Sequence, residues 1–586
     1  MRLRVAFLFL ALAVACGEKP EQPEVKPDAV PAVPQNVKLH SATETSLTFQ
    51  WSAVDGATGY GWKLSLEGED VKSGTVSGRN VVVEGLNPGT TYGFRVCATG
   101  KGGTSEYCAV VEAKTEGKEP TPPDPEAKTQ CVDAPIVIEY ASVPTLGTSG
   151  LIKVLNASGK EVDRIDMADM ATVDILADGT MIPKGADADA GKIAIGNDYK
   201  FNTFMDALHS GQYRPVHYTP VRVNGKKLEI KLHNEALSFG ETYTVKVDAS
   251  VTGLVTDDVT FSTKARPTSS TVIKVAADGS EDFCTLQGAL SYVSANVGKD
   301  DAVTIEMAAG TYREMLFLRN KNNVTIKGAS RESTVIAYPN NDSYETGSGS
   351  SVSSKPSVGN SIGKSGGRCV FLIESCDNLV LDNLTLENTY SIPSHKGQAE
   401  AIYFNSAHRM TIQNCALISW QDTFLTKGKV WVYKTLIAGH CDYIWGYPEA
   451  CLFEECEIRS RAAGYIVQAR IESASHAGFV FLNCKLTGES GVSDGVMYLA
   501  RSGGDTTKYD NVVFVNCTMS SVIAPAGWHT SKAPTPSTPT ATSGWREYGS
   551  VKPDGTSASG SRNAYGKVLT ASEVTPYSSR QAVLGW

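Results

Sequence analysis

The chain has 586 residues, too many for one ordinary hydrophobic core, so three or four domains are expected. Its 41% hydrophobic and 20% charged residues are the proportions of a folded, soluble protein, and 54 Gly with 26 Pro point to many turns and much β-structure. A net charge of −9 argues against a nucleic-acid partner, and no apolar run of about 18 residues follows residue 16, which excludes a membrane-spanning helix beyond that point.

Arg2 and Arg4 precede an apolar stretch, Val5 to Val14, that ends in Ala13-Val14-Ala15-Cys16. A basic start, a short apolar middle and small residues before a cleavage point form a secretory signal over 1–16. The Cys directly after that point resembles a bacterial lipobox. The resemblance implies that Cys16 is lipidated and becomes the first mature residue, which would place the protein in the bacterial envelope as an exported lipoprotein of the outer membrane, periplasmic or surface-facing. An ordinary signal followed by a chance Cys is the alternative. Residues 17–33 are rich in Pro, Glu, Lys and Asp and read as an extended tether.

Residues 34–116 alternate apolar and polar positions between turn signals, as in Leu47-Thr-Phe-Gln-Trp51 and Tyr92-Gly-Phe-Arg-Val96. Short strands at this spacing predict a β-sandwich. With Trp51 at the core position and Gly85-Leu-Asn-Pro-Gly-Thr-Thr-Tyr92 in place of the tyrosine corner, the segment resembles a fibronectin type III domain. A Pro-rich linker, 117–130, leads to a second alternating region over 131–265 with strands at Pro135–Tyr140, Lys227–Leu232 and Thr242–Val247. Its closing stretch, Leu237 to Val247, resembles a bacterial Ig-like domain. Either sandwich could bind sugar; a spacer or structural support is the simpler reading.

Thirteen Cys are present, twelve without Cys16. Export permits disulfides. Cys97 and Cys108 flank a Gly-rich turn, where a cross-hairpin disulfide and two free thiols both stand open. Most of the others lie inside strand-like runs of the second half and read as buried, unpaired thiols.

Residues 266–586 carry a repeat. Asn323-Val-Thr-Ile-Lys-Gly328, Arg409-Met-Thr-Ile-Gln-Asn-Cys415, Cys451-Leu-Phe-Glu-Glu-Cys456, Gly478-Phe-Val-Phe-Leu-Asn-Cys484 and Asn511-Val-Val-Phe-Val-Asn-Cys517 are copies of one short alternating strand. Single strands that recur with almost no helix between them predict a parallel β-helix, in which stacked rungs bury what one rung cannot. The fold class is therefore all-β: a right-handed parallel β-helix preceded by two β-sandwiches. Cys415, Thr435, Cys456, Cys484 and Cys517 hold one position in their copies and are expected to stack inward. The Asn-X-Ser/Thr matches at Asn323, Asn383 and Asn516 fall within rungs and are discounted as glycosylation sites.

This register sets up a pair. Asp422 lies seven residues after Cys415, and Asp442 seven after Thr435. On successive rungs, about 4.8 Å apart, their carboxyl groups should be neighbours. Two like charges so close raise one pKa, so one carboxylate can attack while the other supplies a proton. A solvent-separated ladder of turn aspartates is the alternative. Gln421, Gln398 and Arg501 weigh against it: amides near paired carboxylates suit an oxyanion, and an Arg beside a carboxylate keeps it charged and oriented.

The motifs together resemble the pectinesterase (pectin methylesterase) family. They are Gly310-Thr-Tyr-Arg-Glu314, Gly397-Gln-Ala-Glu-Ala401, Gln421-Asp-Thr-Phe424, Gly439-His-Cys-Asp-Tyr-Ile-Trp-Gly446 and the C-terminal Ile523-Ala-Pro-Ala-Gly-Trp528. The resemblance implies hydrolysis of methyl esters of galacturonate in pectin, with Asp442 as nucleophile and Asp422 as acid, then base. Gln421 would stabilise the oxyanion, Gln398 would assist, and Arg501 would orient Asp442. Tyr443, Trp445 and Trp528 are candidate sugar contacts, with one of the first two expected to face the core. The expected partner is a pectin or homogalacturonan chain, met by a monomer that needs no metal or organic cofactor. The family's Leu-Gly-Arg-Pro-Trp appears here as Leu499-Ala-Arg-Ser-Gly503, so its sugar-lining Trp is missing. Stretches near 340–367 and 530–562 read as exposed loops.

Two other readings stay in view. A lyase or glycosidase could use the same helix, although the sequence displays no third carboxylate near the pair. A non-catalytic polysaccharide-binding surface lipoprotein would explain the sandwiches but not the ordered Gln, Asp, Asp and Arg.

Overall fold

The computed structural model describes residues 29–66, 68–86, 89–116, 129–168, 173–175, 181–183, 201–205, 213–217, 220–342, 367–390 and 397–586. The signal segment with Cys16, most of the 17–33 tether, residues 117–128 of the Pro-rich linker and residues 343–366 of the first expected loop lie outside them. The chain divides into two compact units, 1–116 and 117–586. Among the described residues no helix is long and apolar enough to cross a membrane.

The first unit is an antiparallel two-sheet sandwich. Lys38–Ala42, Ser46–Gln50 and Asn80–Glu84 form one sheet, and Ala57–Leu66, Glu69–Val76 and Thr91–Gly100 form the body of the other. Burial alternates along Ser46–Gln50, so Leu47 and Phe49 point inward. Phe49 stacks on Phe94 at 3.9 Å, and Trp51 packs beside them. Cys97 and Cys108 are both free thiols, so the cross-hairpin disulfide is not formed. Cys108 Sγ instead accepts from the Val96 N–H at 3.3 Å.

The second unit begins with another sandwich. Ile136–Glu139, Lys227–Ile230 and Val221–Asn224 face a sheet built mainly from Leu151–Asn156, Thr242–Val247 and Val259–Thr263. Ile138, Val154, Leu228 and Val245 form its core. The sandwich braces the β-helix: Asp133 accepts from the N–H groups of Cys284 and Thr285, at 3.0 and 2.7 Å, at the head of the helix Leu286–Asn296. Glu314, the acid of the Gly310–Glu314 motif, accepts from the next two N–H groups, those of Leu286 and Gln287, each at 2.8 Å. That motif is structural, for it satisfies donors that a helix start leaves without partners.

From Val272 the chain winds as a parallel β-helix. One face is a sheet of eleven described strands, running from Val272–Val275 to Gly566–Val568 with every pairing parallel. The two other faces meet at the long strands Leu436–Gly446 and Glu457–Ala469, which bend through the corner between them. Gln413, Tyr433, Glu454, Leu482 and Val515 are in register across successive rungs. Two residues on, Cys415, Thr435, Cys456, Cys484 and Cys517 therefore stack, all buried, and the four thiols are free, as the repeat predicts. The residue before each turns the rung through the left-handed region, at φ 54° for Asn414, 47° for Lys434, 52° for Glu455, 55° for Asn483 and 51° for Asn516. Asn tolerates that conformation better than most residues, which accounts for the recurring Asn.

The interior is aromatic toward the end of the coil, where Phe453, Phe481 and Phe514 stack at 4.6 and 4.4 Å. On the outer side of the first face, Leu452, Val480 and Val513 are covered by Leu569, Tyr577 and Leu584. The stretch 530–562 is not wholly an exposed loop: Trp545–Tyr548 is a rung of the first face, and Trp545 and Arg546 are buried.

Candidate active site

The corner between the two bent faces collects the polar residues. Gln398, Gln421 and Cys441 are bridged in parallel register on three consecutive rungs. Phe424 pairs with Ile444 and Leu425 with Trp445, so Asp422 and Asp442 hold the same place on adjacent rungs. The Asp422 N–H donates to the Cys441 carbonyl at 3.0 Å. Strand spacing then puts the two side chains about 5 Å apart at their roots. Both residues adopt positive φ, 66° and 48°, which swings their carboxyl groups out of the strand pleat.

The local sequence makes this corner possible. A Cβ at Gly439 would lie 2.3 Å from Tyr443 Cβ, and one at Gly464 would lie 1.9 Å from the His440 carbonyl oxygen. Glycine at both points lets neighbouring rungs close up around Asp442. The register between the two long strands also slips on either side of Cys441, a bulge that re-aims the next side chain.

Each aspartate has its own arginine. Arg501 donates from Nε to Asp442 Oδ1 at 2.7 Å and from Nη2 to Asp442 Oδ2. That bidentate contact fixes the carboxylate plane, and its hydrogen bonds raise the Arg501 pKa. Gln468 donates a further hydrogen bond to Asp442 Oδ2 at 3.0 Å. Asp422 meets Arg368, whose Nη2 lies 3.2 Å from its Oδ2. Burial, then the nearby Glu400 charge, push the Asp422 pKa well above the usual carboxylate range; Asp442 adds to this, while Arg368 and Arg470 oppose it.

The amides also gather here. Gln421 is half-buried beside Asp422 and, among the described residues, its side chain has no hydrogen-bond partner. Gln398 accepts from Arg368 at 2.5 Å. A donor and an ionisable carboxyl thus stand on one rung, with a second carboxylate on the next. This arrangement suits attack on an acyl carbon with proton delivery to the departing group.

Two expected sugar contacts are corrected. Tyr443 is fully buried, its hydroxyl 3.4 Å from Ser460 Oγ, and it belongs to the core. Trp528 is only 1% exposed and stacks on Trp545 at 5.5 Å. Strand alternation turned the first inward, and the closing rungs covered the second. Trp445 is 7% exposed, with the guanidiniums of Arg368 and Arg470 over its ring at 5.7 and 5.3 Å, so it forms floor rather than platform. Half-buried aromatics that sequence reasoning missed flank the pair instead. Trp420, next to Gln421, carries Arg461 over its ring at 4.0 Å, and Tyr465, in register with Cys441, carries Arg501 at 5.0 Å.

A third carboxylate does stand near the pair. Glu400 is fully buried and shares Arg368 with Asp422. Both its oxygens accept from Arg368 Nε, at 3.0 and 2.9 Å, so they face a guanidinium rather than the cleft. The signal in the sequence was an acid among apolar residues, between Ala399 and Ala401 just before the strand Ile402–Asn405, and such an acid demands a buried partner. That partner, Arg368, lies 32 residues upstream, and no periodicity connects the two. Among the described residues, the one trio of potential metal-ligating atoms within 4.8 Å of one another is Cys131, Asp133 and Cys284, which lies at the junction with the sandwich.

The family model described as Pectinesterase matches residues 272–585, and that for the fibronectin type III domain matches residues 32–114. "Pectinesterase 31" of Arabidopsis thaliana is 33% identical over 262 residues, covering 44% of this chain and 76% of that protein. "Pectinesterase A" of Emericella nidulans is 28% identical over 256 residues, covering 43% and 72%. Among solved structures, the pectin methylesterase PemA from Erwinia chrysanthemi aligns with a TM-score of 0.42 at 23% identity, covering 55% of this chain and 98% of that one.

Proposed function

This chain belongs to the pectinesterase family, and from that premise we propose that it hydrolyses the methyl esters of galacturonate in pectin through an acyl-enzyme on Asp442. Asp442 attacks the ester carbonyl, and the negative charge that develops on the carbonyl oxygen is met by the Gln421 amide, with Gln398 beside it. Asp422, protonated at rest, gives its proton to the departing methanol. The intermediate is a mixed anhydride between Asp442 and the galacturonate carboxyl. Asp422, now a carboxylate, takes a proton from water as that water attacks the anhydride. This frees the galacturonate acid, restores Asp442 and leaves Asp422 protonated again.

The observation that carries this reading is the shared register of Asp422 and Asp442 beside the row Gln398, Gln421, Cys441. Arg501 and Gln468 support it by holding both Asp442 oxygens in one plane. Trp445 serves as a rigid floor, and the missing Trp at Gly503 leaves sugar contacts to groups such as Trp420 and Tyr465.

Incubation of the purified chain with methylated polygalacturonate tests the proposal. Methanol release without new reducing ends or unsaturated products is expected, and Asp442→Ala should abolish it while the fold survives. Chain shortening or double-bond absorbance without methanol would overturn the reaction. Parent-like turnover in folded Asp442→Ala would overturn the nucleophile.

The lipobox-like Ala13-Val14-Ala15-Cys16 supports a lipid anchor at Cys16 and a place in the bacterial outer membrane. Fatty-acid labelling of the expressed protein, lost in Cys16→Ser, tests it. A parent protein that takes up no label sinks it.

A further inference from the structure

Three carboxyl groups converge on one guanidinium beside the aspartate pair. Arg368 is 6% exposed and Glu400 fully buried. Arg368 Nε bonds both Glu400 oxygens at 3.0 and 2.9 Å. Its Nη1 bonds Gln398 Oε1 at 2.5 Å and reaches Asp342 Oδ1 at 3.4 Å, while Nη2 bonds Asp422 Oδ2 at 3.2 Å. Arginine has only donors, so the Gln398 atom that meets it must be the carbonyl oxygen. The orientation of that amide is thereby fixed, with its NH2 turned away from the guanidinium.

A buried ion pair is a poor device for stability, because desolvating both ions consumes most of their attraction. An apolar pair of similar volume is often no less stable. The pair nonetheless touches two of the residues assigned to the chemistry, Gln398 and Asp422, through Arg368.

We propose that Arg368 and Glu400 form a positioning pair for the hydrolysis, which clamps the Gln398 amide with its donors outward and keeps Asp422 as the proton donor. The proposal rests on the reading of Asp422 as acid. Glu400 and Asp422 compete for one positive charge. Burial raises both carboxyls, but Glu400 holds the guanidinium with both oxygens at close range and Asp422 with one oxygen at longer range, which favours the proton on Asp422. The groups facing Asp422 are Glu400 from the preceding rung, Arg368 from the segment before Cys369, and the Cys441 thiol, Asp442 and Arg470 from the following rungs. Burial and the two negative neighbours outweigh the two positive ones, which agrees with this assignment.

The test uses the full chain on methylated polygalacturonate, with pH–rate profiles. Glu400→Gln keeps the shape and removes the charge. Asp422 should then lose its proton more readily, and the alkaline limb of kcat/KM should move to lower pH by about one unit. Arg368→Lys keeps a positive charge but cannot reach Glu400, Gln398 and Asp422 together. Its kcat should fall roughly tenfold or more with KM little changed. A Glu400→Gln profile superimposable on the parent overturns the proposal, as does parent-like kcat in Arg368→Lys. If Arg368→Lys does not fold, the isosteric Glu400→Gln profile decides alone. Asp422→Asn, run in parallel, separates the two ideas. If it is as active as the parent, the acid reading falls. If it is inactive while the Glu400→Gln profile stays unshifted, only the positioning pair falls.

Discussion

Gln468 donates from Nε2 to Oδ2 of Asp442 at 3.0 Å, and its own Oε1 accepts from Arg470 Nε and Nη2 at 3.1 and 2.8 Å. The two acceptor contacts hold the amide so that it can only donate toward Asp442. A hydrogen bond to a charged group contributes about 1.5–3 kcal/mol, so Gln468→Leu should lower kcat roughly 10- to 100-fold while KM changes little. Steady-state kinetics on methylated polygalacturonate checks this. A rise in KM with unchanged kcat would show that Gln468 binds sugar rather than orients the nucleophile.

The raised pKa of Asp422 has two consequences of opposite value. Activity needs the protonated acid, so kcat/KM should fall on an alkaline limb above the usual carboxylate range. For stability, a carboxyl whose folded pKa lies above its unfolded value contributes fully at pH below the unfolded value. The contribution is lost as pH rises through the folded one. Asp422→Asn should therefore be nearly inactive yet melt at a higher temperature than the parent at alkaline pH, with the gain shrinking in acid. Thermal melts of both proteins across pH would refute this if the gain were largest in acid.

Glu314 caps the helix Leu286–Asn296 by accepting from Leu286 N and Gln287 N. Glu314→Ala leaves two buried donors without partners and should cost about 2–4 kcal/mol, seen as a lower denaturation midpoint of the β-helix. Turnover per folded molecule should not change. Burial, opposed by Lys231, pushes the Glu314 pKa up to about 7 from 4.5. Its contribution should thus fade between those values as pH rises, and Glu314→Gln should flatten that part of the stability profile.

Tyr443 stands next to Asp442 in sequence but points into the core. Its hydroxyl makes one long contact with Ser460, so Tyr443→Phe should cost no more than about 1 kcal/mol and leave KM unaltered. Trp420→Ala, at a half-buried ring beside Gln421, should raise KM. Equal KM effects from the two variants would show that burial does not sort these aromatics.

The sandwiches, the coiled rungs and the aspartate pair could be read from the chain alone because each is a periodic property. Alternation marks the strands, and seven residues from Cys415 and from Thr435 place Asp422 and Asp442 on one corner. Period and spacing are local, so they survive without coordinates. Arg368, Glu400 and Gln468 were not legible in that way, nor was the burial of Tyr443 and Trp528. Arg368 meets its partner across a change of face, and no repeat ties residue 368 to 400 or 422. Which side of the corner a residue takes depends on bulges at Cys441 and on close contacts around Gly439 and Gly464. Periodicity sets which rung a side chain occupies, whereas its direction and charge partners are set only when neighbouring rungs close and exclude water.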